Sequence, residues 1–196
     1  MDFLLQQLVN ALQSGSFYAL IAIGYSMVYS VLMLFNFAHG DVFMVGAYIG
    51  FFVSSGLLGL ELWGVIGLPV GVQLGLILVL TLIVSMFLNS LVGMAVERIG
   101  YRPLRGAPRA SAAITGLMIG IILENGNLAL LGPQRLSFPE LIPTATIQLG
   151  GVSLTNKKIM IVAVSLLLTL AFHMFVRRTK WGMAMRAISY DRVAVP

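Results

Sequence analysis

Asn36, His39 and Asp41 bring an amide, an imidazole and a carboxylate into one six-residue stretch, Asn36-Phe37-Ala38-His39-Gly40-Asp41. Asp41 is the only charged residue between Asp2 and Glu61, and the first basic residue of the chain is Arg98. An ionisable group in such apolar sequence costs several kcal/mol unless it is paired, hydrated or set against a cavity. Two readings fit the cluster. It can form the polar lining or hinge of a path, or it can be a knot whose side chains satisfy backbone groups freed at a helix break. A metal or general-base site is a third reading, but one His and one carboxylate are too few ligands.

Other polar residues fall in rows. Thr81, Ser85, Asn89, Gly93 and Glu97 recur every four positions along one helix ridge, which predicts a face turned to protein or water rather than lipid. Gly116, Gly120, Glu124 and Asn127 share a face of a later helix. Glu124 can touch a solute there or make a helix-packing hydrogen bond. Glu97 reads as an ion-pair partner of Arg98 or Arg102, and His173 as an interfacial residue.

The elements that must carry these residues follow from composition. The 196 residues are 59% hydrophobic and 10% charged, with a mean hydropathy of +0.97. Soluble domains carry about 25% charged residues, so the chain reads as an all-α polytopic membrane protein. Cysteine is absent, which excludes disulfides, thiolate nucleophiles and thiolate-bound metals. The start of the chain has no basic region and does not resemble a cleaved signal peptide.

Residues 1–10 read as an apolar lead-in, and five spans follow at about 11–34, 42–60, 70–96, 112–131 and 159–176, each near the length a bilayer requires. The first carries Ser14, Tyr18, Ala22, Ser26 and Ser30 as one small or polar stripe. A helix break is expected near 36–41, within the bilayer. Gly46 and Gly50 in the second span have the spacing that lets helices approach closely. Trp63 reads as an interfacial anchor in the loop 61–69. Arg98–Arg109 holds four Arg and two Pro, which argues against a helix interior. Within the polar excursion 132–158, Thr144–Leu149 alternates, Gly150-Gly151 supplies a turn and Val152–Thr155 returns, a small β-hairpin outside the membrane.

Nine of the twelve basic residues fall in 98–109 and 177–192, and three (Arg135, Lys157, Lys158) on the opposite side. The excess base is confined to loops, so it reads as topology rather than nucleic-acid binding. The positive-inside rule makes both basic loops cytoplasmic and the N-terminus external. In the tail, Trp181, Ala184, Met185 and Ile188 have i, i+3, i+4, i+7 spacing, the mark of a short amphipathic helix. Its apolar face suits either a partner's groove or an anionic lipid surface.

Asn36–Asp41 followed by Gly46-Ala47-Tyr48, Glu97-Arg98 with Tyr101–Gly106, and the 177–187 segment together resemble the LivH-type branched-chain amino acid permeases of ABC importers. The resemblance implies that 1–196 is one transmembrane permease domain, the N-terminal two-thirds of a longer family permease in a bacterial inner membrane. It implies as partners a second homologous permease, two cytoplasmic ATPase subunits and a periplasmic solute-binding protein. ATP and magnesium would sit on the ATPases, and this chain has no GxxxxGK[ST] phosphate loop. By the same resemblance, Arg178, Thr179, Lys180, Trp181, Gly182, Met185, Arg186 and Ile188 form the helix that couples to the ATPase. Asn36, His39, Asp41, Ser85, Asn89, Glu124 and Asn127 are the expected lining of the translocation path, and no catalytic, cofactor or metal site is expected. Relatives that import urea or short amides offer an alternative solute class. A membrane-embedded enzyme using His39 and Asp41 as an acid/base pair, and a passive channel, are the rivals from other classes. The enzyme would need a nucleophile or metal that the sequence does not offer convincingly.

Overall fold

A computed structural model describes residues 2–32, 35–60, 67–104, 106–149 and 151–190. Trp63, Arg105, Gly150 and the tail beyond Tyr190 lie outside the described residues, as does the side chain of Ile188. The helices are α1 (Asp2–Leu32), α2 (His39–Leu58), α3 (Val70–Ala95), α4 (Arg109–Leu131), α5 (Asn156–Arg178) and α6 (Lys180–Tyr190). Strands β1 (Thr146–Leu149) and β2 (Val152–Thr155) stand between α4 and α5. Among the described residues five helices are long and apolar enough to cross a membrane.

Large apolar side chains are not gathered inward as in a soluble domain. Ser54 and Ile77 are 0% and 1% exposed, and Thr81 and Ser165 are also buried, whereas Leu130 is 85% exposed among many large apolar side chains. Lipid solvates large apolar groups as well as protein does, so helix–helix contacts are left to small residues and hydrogen bonds.

The chain forms two compact units, 1–34 with 143–196 and 35–142. In the first, α1 packs with α5, α6 and β2. Residues 1–10 are not a separate lead-in: α1 is continuous from Asp2, because its first turns have work to do. Ser153 donates its N–H to Gln6 Oε1 at 2.8 Å, and Lys158 Nζ donates to Asn10 Oδ1 at 2.7 Å. Asp2 lies against Gly151, whose φ of +86° makes the hairpin turn. The strands are antiparallel with Leu149 opposite Val152. Asn156 ties the hairpin to α5, accepting from the Ala145 N–H at 3.1 Å and donating to the Pro143 carbonyl at 2.7 Å.

In the second unit α2 packs on α3 and α4. Residues 35–38 are non-helical, and α2 starts at His39, so His39 and Asp41 belong to its first turn rather than to the break. The arginine segment is a second correction. Instead of leaving the helix at Arg98, the chain continues α3 as a π turn, Val96–Tyr101, and a 3-10 turn, Arg102–Leu104. The π turn moves the bonded carbonyl one residue back, with Arg102 N–H reaching Glu97 O. Pro103, which has no N–H to give, sits in the last turn where little of the ladder remains to be broken.

Candidate functional site

The site is organised on one face of α4, where Gly116 and Gly120 act as two steps for the Asn36–Asp41 segment. A Cβ at Gly116 would meet the Tyr101 hydroxyl and stand 3.1 Å from the Phe37 nitrogen. A Cβ at Gly120 would meet Asp41 Oδ2, with Ala38 Cα 3.9 Å away. Ala38 is fully buried at this contact. The absence of side chains on α4 is therefore what admits the segment. The buried Tyr101 then donates its hydroxyl to Asn36 Oδ1 at 2.8 Å, fixing the first residue of the cluster to the π turn. His39 N–H reaches Asn36 O at 3.2 Å and Val42 N–H reaches Ala38 O at 2.9 Å, which starts α2. Asp41 lies in the first turn, where a carboxylate is favoured by the helix dipole.

Farther along α2, Gly46 faces Asn89 of α3, and an added Cβ would stand 2.8 Å from Asn89 Nδ2. Gly50 instead faces the Phe138 ring at 3.8 Å. On the α3 row, Ser85 spends its hydroxyl on the Thr81 carbonyl at 2.6 Å. Thr81 Oγ1, Asn89 Oδ1 and Asn127 Nδ2 are buried without a hydrogen-bond partner. Glu124 and Asn127, one and two turns beyond Gly120, line a cavity of about 590 Å³ together with Tyr48, Phe51 and Arg135. Asn36, His39 and Asp41 thus meet the start of α4, Ser85 and Asn89 belong to the α3 ridge, and Glu124 and Asn127 to the cavity. Among the described residues no group of three His, Asp or Glu side chains is gathered as a metal site would require.

In the other unit the basic corner is built on Thr179. Its N–H and hydroxyl both donate to the Phe175 carbonyl, at 3.1 and 2.7 Å, which ends α5. Its Oγ1 also accepts from the Gly182 N–H at 3.0 Å, the N-cap bond that begins α6. Gly182 packs on the Val176 backbone, where a Cβ would lie 2.6 Å from the Val176 carbonyl carbon. Arg178 and Lys180, on either side, are exposed. The apolar face of α6 is divided. Met185 and Arg186 line a second cavity of about 560 Å³ with Ser26, Ser30 and His173, whereas Trp181 is 73% exposed. His173, read from sequence as an interfacial residue, thus faces a cavity.

Sequence reasoning assigned no site role to Tyr101, to Arg135 or to the Asp2, Gln6, Asn10 row. The row was there to be found, since it continues Ser14, Tyr18 and Ala22 backward in steps of four.

Long apolar helices, outward-facing large side chains and contacts built on glycine define a multi-pass helical membrane protein. Residues 7–196 match the family described as Branched-chain amino acid transport system / permease component, and the chain belongs to that family. It is similar to the high-affinity branched-chain amino acid transport system permease protein BraD of Pseudomonas aeruginosa, 35% identical over 191 residues, covering 95% of this chain and 59% of that protein. It is likewise similar to the permease protein LivH of Escherichia coli, 33% identical over 194 residues, covering 96% of this chain and 60% of that one. The chain therefore spans about three-fifths of the length of these relatives. No solved structure gives a significant match.

Proposed function

We propose that this chain is the membrane-embedded permease part of an ATP-driven importer of branched-chain amino acids. The observation that carries the reading is the family match over residues 7–196, in a chain whose relatives are named as permeases of high-affinity branched-chain amino acid transport. The importer would contain a second permease, two cytoplasmic ATPases that bind ATP and magnesium, and a periplasmic solute-binding protein, in a bacterial inner membrane. Nine basic residues in 98–109 and 177–192 against three elsewhere favour an external N-terminus with those two segments cytoplasmic.

In this reading the coupling element is α6, with Lys180, Trp181, Gly182, Met185, Arg186 and Ile188, joined to Arg178 at the end of α5 through the Thr179 cap. Its exposed Trp181 is the side chain free to enter an ATPase groove. ATPase closure would drive alternating access, and the solute would pass Asn36, His39, Asp41, Ser85, Asn89, Glu124 and Asn127. Asn89 and Asn127 support such a path best, because each keeps a buried polar atom without a protein partner. The test is co-purification of the ATPase subunits with the wild type and with Trp181→Glu. Loss of the ATPases from a variant that still inserts is the expected result. ATPases retained by Trp181→Glu would remove α6 as the docking helix. Solute flux without ATP would favour a passive channel.

A further inference from the structure

The 590 Å³ cavity falls within the range of about 300–1,000 Å³ usual for small-molecule sites. Its walls come from α2, from α4 and from the segment that follows α4. Gly132, at φ +77°, turns that segment back, with its N–H on the Leu128 carbonyl at 2.9 Å. Phe138 then lies edge-on to Phe51, ring centroids 6.5 Å apart, and against Gly50, which brings Arg135 to the cavity. The lining holds one carboxylate, Glu124, and one guanidinium, Arg135, and among the described residues neither is engaged by a hydrogen bond or ion pair. Asn127 adds an amide Nδ2 that is buried without an acceptor. Met44, Ala47 and Phe51 supply an apolar wall.

We propose that this cavity is a binding site for a free, zwitterionic α-amino acid with an aliphatic side chain. The ligand carboxylate meets Arg135 and Asn127 Nδ2, its ammonium meets Glu124, and its side chain lies on Met44, Ala47 and Phe51. The pairing explains an otherwise costly arrangement. A carboxylate on a membrane-crossing helix needs a partner, and a neutral ligand carrying both charges satisfies the acid, the base and the orphan amide together. Charge-assisted hydrogen bonds of this kind also set orientation, as a bidentate guanidinium–carboxylate contact does. The proposal rests on the importer reading and deepens it, since it places the first contacts of the solute in this chain.

The test measures binding of labelled leucine to the assembled permease–ATPase complex, without solute-binding protein, in competition with leucinamide, 4-methylpentanoate and 4-methylpentanamide. Uptake of leucine with ATP is followed in the same preparation, supplied with the solute-binding protein. Wild type should bind leucine about tenfold or more tightly than leucinamide, which lacks the carboxylate, or 4-methylpentanoate, which lacks the ammonium. Arg135→Gln should narrow the gap to leucinamide selectively, and Glu124→Gln the gap to 4-methylpentanoate. Because each variant is read by its own change in ligand preference, general misfolding does not imitate the result. 4-Methylpentanamide competing as well as leucine would overturn the zwitterion. Normal uptake with unchanged preferences in both variants would overturn the site and leave the importer standing. A wild type that takes up no aliphatic amino acid with ATP would overturn the importer reading and the site with it.

Discussion

In residues 35–142 the Asn36–Asp41 segment is held by fit, seated on Gly116 and Gly120 with Tyr101 closing over it, whereas in the other unit the hairpin is held by reach, through Gln6 to Ser153 and Lys158 to Asn10. The first fastening is close-fitting, because an added methyl group meets the Tyr101 hydroxyl or the Asp41 carboxylate and that side chain must move. The second consists of long polar side chains, with the Gln6–Ser153 bonds exposed and replaceable by water and the Lys158–Asn10 bond half-buried. The Asn36–Asp41 cluster sits at the tighter of the two fastenings. A segment that must carry His39 and Asp41 in apolar surroundings is over-determined by its neighbours, while the hairpin needs only to be tethered.

The difference can be broken experimentally. Gly116→Val should cost the most, about 1–3 kcal/mol for overpacking, with the Tyr101–Asn36 bond lost besides; thermal unfolding of the purified protein in detergent reads it. Gly120→Ala should follow, and its cost should shrink in an Asp41→Ala background, giving a coupling of about 0.5–3 kcal/mol in a double-mutant cycle. Additive costs would mean that Asp41 is not what Gly120 makes room for. Tyr101→Phe removes one hydrogen bond and should cost about 0.5–1.5 kcal/mol. Gln6→Ala should fall at or below the bottom of that range, since its bonds to Ser153 are exposed. A Gln6→Ala loss larger than that of Gly116→Val would reverse the comparison.

Much of the architecture could be read directly. The spans follow from length and hydropathy, the hairpin from the alternation of Thr144–Leu149 and the glycines after it, and α6 from the spacing of Trp181, Ala184 and Met185. Helical spacing also put Gly116, Gly120, Glu124 and Asn127 on one face. Spacing gives the face but not what lies across from it. The contact between Asn36 and Tyr101 joins residues 65 positions apart, and nothing local announces it. Arg135 looks like a stray charge in a polar loop until the turn at Gly132 brings it to Glu124's cavity. The helical continuation through Arg98–Leu104 was illegible for a different reason. Pro103 signals an end to α-helix, and the chain answers with a wider turn that the signal does not describe.

That turn sets the phase of everything after it. A π turn contains an extra residue relative to the α ladder, and one residue is about 100° of rotation around the helix. Closing Val96–Tyr101 as ordinary α-helix with every residue kept would swing Tyr101 by roughly that angle, away from Asn36, whereas removing one residue between Val96 and Gly100 at the same time would restore its phase. The position of the tyrosine is thus encoded as a count as well as a contact: the extra residue and the wider turn cancel, and either one without the other would move it.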